Sequence, residues 1–149
     1  MSMVVRCAVG SLRDLPDAFA YEGYRERFLP LTPGRDYPVY AVTSFKGGLW
    51  YYILDDDGLG EPIWYPSPIF EIVDGRVPDH WRLGQHAVGD AFRAILSFPE
   101  WSEDPHFYER LYDGDQIAVE AFRREVERRG VGQASDRHDP GPGVEPSPA

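Results

Sequence analysis

The stretch Tyr37-Pro-Val-Tyr-Ala-Val-Thr-Ser-Phe-Lys-Gly-Gly-Leu-Trp-Tyr-Tyr-Ile-Leu54 decides the fold class. Residues 37–45 alternate and are rich in Val, Tyr and Thr, which suit a pleated, half-buried surface. Lys46-Gly47-Gly48 supplies a hairpin turn, because glycine tolerates positive φ. Residues 49–54 then form a second strand. Successive side chains of a strand face opposite ways, which assigns Leu49, Tyr51 and Ile53 to the core and Trp50, Tyr52 and Leu54 to the outer face.

Outward from this hairpin, the loop 55–62 leads to a short strand at Ile63-Trp64-Tyr65. Pro66-Ser67-Pro68 stops it, since proline lacks the ladder donor. Residues 69–73 make a fourth strand, turned by Asp74-Gly75. Upstream, residues 3–9 suit a first strand. Residues 11–28, broken by Pro16, read as a loop with one helical turn. Downstream, 85–98 fits both a helical stripe and strand alternation. Gly89 weakens the helix, so 91–98 leans to strand. Asp104-Pro105 opens a short helix as N-cap and N1, ending near Gly114. A last helix spans 115–129, with Ile117, Ala118, Ala121, Phe122 and Val126 as its buried face. Glu120 with Arg124, and Glu125 with Arg129, have the spacing of surface ion pairs, and Gly130 closes the helix. Short strands at close spacing favour a small barrel or sandwich.

Two blocks carry a resemblance: Leu31-Thr-Pro-Gly-Arg-Asp-Tyr-Pro-Val-Tyr-Ala-Val42, and Ile63-Trp-Tyr-Pro-Ser-Pro-Ile-Phe-Glu-Ile-Val-Asp-Gly-Arg76. With Asp104-Pro-His-Phe-Tyr-Glu-Arg-Leu-Tyr-Asp-Gly-Asp115, they resemble small bacterial proteins with an SH3-like barrel, some of them immunity-type proteins that neutralise toxins. The resemblance spans residues 29–126. It implies a small antiparallel SH3-like β-barrel; with the C-terminal helices and a disordered tail read from the residues, the expected fold class is α+β. It carries over no catalytic residue, and fold does not fix function.

The 149 residues allow one domain, expected over 1–129, and the 42% hydrophobic content is enough for a core. Residues 130–149 hold Gly, Pro, Ser and charge, with little to bury against their ordering entropy, and read as disordered. Cys7 is the one cysteine, which points to a reducing compartment and a cytoplasmic location. No signal peptide or membrane span is legible. Lys46 is the only lysine beside fourteen arginines, a composition that suits a GC-rich bacterial genome. The net charge of −10 argues against nucleic acid and anionic membranes as partners.

No catalytic or cofactor motif is present. Asp55-Asp56-Asp57-Gly58 fails as a calcium loop of the EF-hand type, because its twelfth position is Pro66 rather than a bidentate Glu. His80, His86, His106 and His138 lack metal-ligand spacing, so neither metal nor cofactor is expected. What remains is an acidic, aromatic face. From Gly47 to Gly75 there are six carboxylates (Asp55, Asp56, Asp57, Glu61, Glu71, Asp74) and no Lys or Arg. Trp50, Tyr52 and Trp64 are hot-spot residue types and stand beside Asp55, Asp56, Asp57 and Glu61. Together these seven are the expected partner-binding residues, unless the chain's own helices cover the aromatics. The expected function is non-catalytic binding of a basic protein, most concretely inhibition of a bacterial toxin by occlusion. The alternatives are a small enzyme or ligand-binding domain with a pocket near His80, Trp81 and Glu71, and a stand-alone regulatory module.

Overall fold

The computed structural model describes residues 2–8, 29–88 and 91–136. Among these residues the fold is α+β, with eight strands and three helices: β1 (Val4–Cys7), β2 (Asp36–Pro38), β3 (Ala41–Phe45), β4 (Gly48–Ile53), β5 (Ile63–Pro66), β6 (Phe70–Asp74), β7 (Arg82–Val88), β8 (Ala91–Ser97), α1 (Pro99–Ser102), α2 (Phe107–Tyr112) and α3 (Gln116–Asp136). Among the described residues the strands form two antiparallel sheets, ordered β2-β1-β6 and β5-β4-β3-β8-β7, and no closed barrel.

The deciding hairpin forms with Phe45 paired to Gly48. Lys46 and Gly47 between them both take positive φ, 50° and 81°, the two-residue turn whose twist matches the strands. The single strand expected over 37–45 is instead split. Pro38 has no N–H to continue a ladder, and the chain changes sheet at Val39 and Tyr40. The Val39 N–H bonds to Met3 O in the small sheet, and the Tyr40 N–H to Tyr52 O in the large one. A second crossing follows Pro66, through a 3-10 turn at Ser67–Ile69, after which β6 pairs with β1 rather than with β5.

The ambiguous 85–98 region is strand on both sides, a hairpin of β7 and β8. Alternation outweighs the helical stripe because β8 lies between β3 and β7, as a central strand. Helix α1 presses on β7 closely enough that a Cβ at Gly84 would stand 1.9 Å from Ser102 O.

The two faces of β4 alternate as expected, but the outer face is covered by the chain's own helical segment, and Leu49, expected in the core, is exposed. Trp50 and Ile53 are fully buried, Tyr51 and Tyr52 nearly so, while Leu49 is 49% exposed. Tyr51 meets Phe70 of the small sheet at 5.9 Å on one face, and Tyr52 meets Trp101 at 4.8 Å and Tyr108 at 5.2 Å on the other. The strand is sandwiched, so both of its faces are core.

The helix starting at Asp104-Pro105 begins two residues later than expected. Asp104 accepts the His106 N–H through its side chain and the Phe107 N–H through its carbonyl. Gly114, at φ 84°, closes α2, and Asp115 caps α3 by accepting the Ala118 N–H at 3.1 Å. Helix α3 continues past Gly130 to Asp136, so Gly130 does not end it. The rest of the expected tail, 137–149, lies outside the described residues, as do 9–28, where a loop was expected. Ala118, Ala121 and Phe122 are buried as expected, but Ile117 is 73% exposed. Its place on the inner face is taken by Glu125 and Arg129, which are buried rather than forming a surface pair.

Candidate functional site

Two features outside the core carry polar chemistry: the acidic β4–β5 loop against α2, and a cleft under α3 around Glu125.

The acidic loop is built, not loose. Asp56 accepts Thr32 Oγ1 at 2.6 Å, Tyr37 Oη at 2.8 Å and Arg35 Nη1 at 2.9 Å. Its own N–H donates to Pro30 O. Asp55 accepts Tyr65 Oη at 2.5 Å and the Asp57 N–H at 3.1 Å. Two of the four expected carboxylates therefore hold the loop in shape. Burial, with the Asp56 carboxylate adding to it, pushes the Tyr37 phenol up. Asp57 projects into solvent, and Glu61 is half-buried beside α2. Tyr108 of α2 donates to Pro62 O at 2.8 Å. Burial raises its phenol pKa strongly, and Tyr52, Glu61, Tyr112 and Asp55 raise it further. Those four contributions place loop and helix in one electrostatic neighbourhood.

Of the aromatic residues expected to bind a partner, Trp50 and Tyr52 are in the core, covered by the chain itself. Trp64 is half-buried, its ring 4.7 Å from Trp50 and 5.2 Å from Phe45, with the Arg93 guanidinium 5.1 Å above it. The exposed apolar groups next to the acidic loop are different residues: Leu59, 71% exposed, and Tyr112, 64% exposed. Tyr112 shares a shallow depression with Tyr108, Glu109 and Asp113. Its position was legible in α2, where Phe107 and Leu111 take the inner face and leave Tyr112 outward.

The second feature centres on Glu125, 3% exposed. Its carboxylate accepts His80 Nε2 at 2.8 Å and Trp81 Nε1 at 3.0 Å, with Arg128 Nη1 3.9 Å away. Arg124 reaches Glu100 of α1 at 3.8 Å. His80, Glu100, Arg124, Glu125 and Arg128 line a cleft of about 180 Å³ with Phe98 and Pro99. Of the three residues expected to mark a pocket, His80 lines this cleft; Trp81 does not, and Glu71 lies on β6 opposite Arg6. A carboxylate on Nε2 leaves Nδ1 as the basic nitrogen. Among the described residues, the cleft lining holds no Ser, Thr, Cys or Tyr that such a base would activate. Glu125 was missed in sequence because its spacing to Arg129 suggested a surface pair. It continues the 118, 121, 122 stripe, and that was the available signal.

Arg129 completes this corner. Its guanidinium donates to Val39 O at 2.7 Å, Met3 O at 2.9 Å and Ser2 O, and lies over the rings of Tyr40 and Trp81. It ties α3 to both sheets and is structural.

Among the described residues no group of His, Cys, Asp and Glu is arranged to hold a metal ion, and no helix is long and apolar enough to cross a membrane. Comparison with protein-family models, curated proteins and solved structures yields no match.

Proposed function

We propose that the chain is a non-catalytic protein-binding module of the cytoplasm, an immunity-type inhibitor that occludes a basic toxin, built on a small SH3-like β-module. The observation that carries this reading is the rigid acidic surface of the β4–β5 loop and α2. Glu109 and Asp113 share a shallow depression with the exposed Tyr112, while the exposed Leu59 lines a separate cleft with Glu61 and lies two residues from Asp57. Arg110, the cation on this helix, is held by Asp104 and Asp115. Carboxylates beside exposed apolar groups complement a basic surface and speed encounter with it. Trp50 and Tyr52 support the scaffold, and Leu59 and Tyr112 take the anchoring role.

The experiment is co-expression with the protein encoded by the neighbouring gene. A stoichiometric complex in which that protein's activity is lost supports the proposal; full activity in the presence of excess chain removes it.

One observation favours a second reading, a small-ligand pocket: a buried carboxylate that fixes a partly exposed histidine in a cleft. His80→Gln is the test. A ligand reading requires that this substitution abolish binding of whatever small molecule copurifies, with the fold intact.

A further inference from the structure

We infer that β7 is a self-pairing edge, through which two copies of the chain join antiparallel into one continuous sheet. The inference does not rest on the acidic face, whose loop leads into β5, the opposite edge strand. In the order β5-β4-β3-β8-β7, β7 is an edge of seven residues, Arg82–Val88, and among the described residues only β8 pairs with it. Two residues separate Val88 from Ala91, the last pair of the β7–β8 hairpin. The turn bond falls on that pair, and alternation along the ladder then turns the N–H and C=O of Leu83, Gln85 and Ala87 outward. All three have exposed side chains. Edge strands are commonly blunted by proline, lysine, an inward charge or a bulge. Arg82-Leu-Gly-Gln-His-Ala-Val88 contains no proline, lysine or carboxylate, and its ladder with β8 runs without a register shift.

Self-complementarity selects the occupant. A two-fold axis at Gln85 pairs Leu83 with Ala87, and Gln85 with Gln85, of the second copy, so every outward donor meets an outward acceptor. The same register sets Arg82 opposite Val88, so no like charges are opposed across the seam. Leu83 is 74% exposed, and Phe92, the β8 partner of Ala87, is 68% exposed. Leu83, Ala87 and Phe92 share one face of the sheet. In the pair, Leu83 of one copy approaches Phe92 of the other across the small Ala87, which takes both apolar groups from water.

The test is sedimentation of the full chain over a concentration series, with amide hydrogen exchange at each concentration. The expected result is a monomer–dimer equilibrium in which protection of the Leu83, Gln85 and Ala87 amides rises with the dimer fraction. Gln85→Pro removes an outward donor and leaves the ladder with β8 whole. Leu83→Lys places a charge on each side of the seam, from a side chain exposed enough to spare the fold. Each substitution should weaken the dimer at least about tenfold. A chain that is monomeric at every concentration overturns the proposal. So does a dimer that ignores both substitutions or leaves the three amides unprotected.

Discussion

Asp56 and Asp57 are adjacent, identical in type and unlike in role. Asp56 satisfies two hydroxyls and a guanidinium, one of them on the buried Tyr37. Asp56→Ala leaves those donors unpaired and should lower unfolding free energy by about 1–3 kcal/mol. Asp57→Ala removes an exposed charge and should change it by less than about 0.5 kcal/mol. Urea unfolding of the two variants checks the contrast. Trp50→Ala, which empties a fully buried site, should cost about 3–5 kcal/mol by the same measurement. Sequence composition marked all three positions as binding residues because Asp, Trp and Tyr look alike in a loop and at a hot spot. Only long-range partners separate them: Thr32, Arg35 and Tyr37 for Asp56, and the α1–α2 segment for the β4 aromatics. None of these is near in the chain. Glu125 fails in the opposite direction, since local i,i+4 spacing hid a contact with His80, forty-five residues away.

At the level of elements, most of the strands were legible because alternation and proline or glycine punctuation are local signals. The hairpin at Lys46-Gly47, the stop at Pro66 and the closing of α2 at Gly114 all follow from backbone chemistry. Which sheet a strand joins was not legible. Pro38 and Ser67–Ile69 mark the two crossings, but the partner, β1, ends at Cys7, far in the chain from β2 at Asp36–Pro38 and farther from β6 at Phe70–Asp74. The contact of α1 with β7 is equally non-local and rests on a missing side chain. Gly84→Ala sets a methyl against Ser102 O. It should destabilise the fold by about 1–3 kcal/mol through displacement of α1. It should also perturb His86, whose Nε2 donates to the same carbonyl at 2.8 Å. Chemical denaturation with NMR of the His86 ring reads both effects.

For the molecule as a whole, Tyr40 and Asp74 are among the shifted groups that act on its tolerance of pH from opposite sides. Burial pushes the Tyr40 phenol up to about 12, with Glu125 adding and Arg129 opposing. An unfolded tyrosine titrates near ~10. The stability from keeping Tyr40 protonated is complete below pH ~10 and is lost as pH rises towards 12. Hydrogen bonds from the Arg76 side chain and backbone hold Asp74 down to about 2, against ~3.9 unfolded. Its contribution is present above pH ~4 and lost as pH falls towards 2. Unfolding midpoints across pH should therefore decline at both ends. Tyr40→Phe should blunt the alkaline decline, and Asp74→Asn the acid one.

Binding through the acidic face acts first on rates, because surface carboxylates steer encounter before any contact forms. The measurement is the association rate of the full chain with the neighbouring gene's product across a salt series, for the wild type and for Asp57→Lys with Glu61→Lys. The account predicts a wild-type rate that falls steeply with salt. It predicts a charge-reversed variant at least about tenfold slower at low salt, with a flattened salt dependence and little change in dissociation. An association rate indifferent to both salt and charge reversal, or no association at any salt, would contradict it.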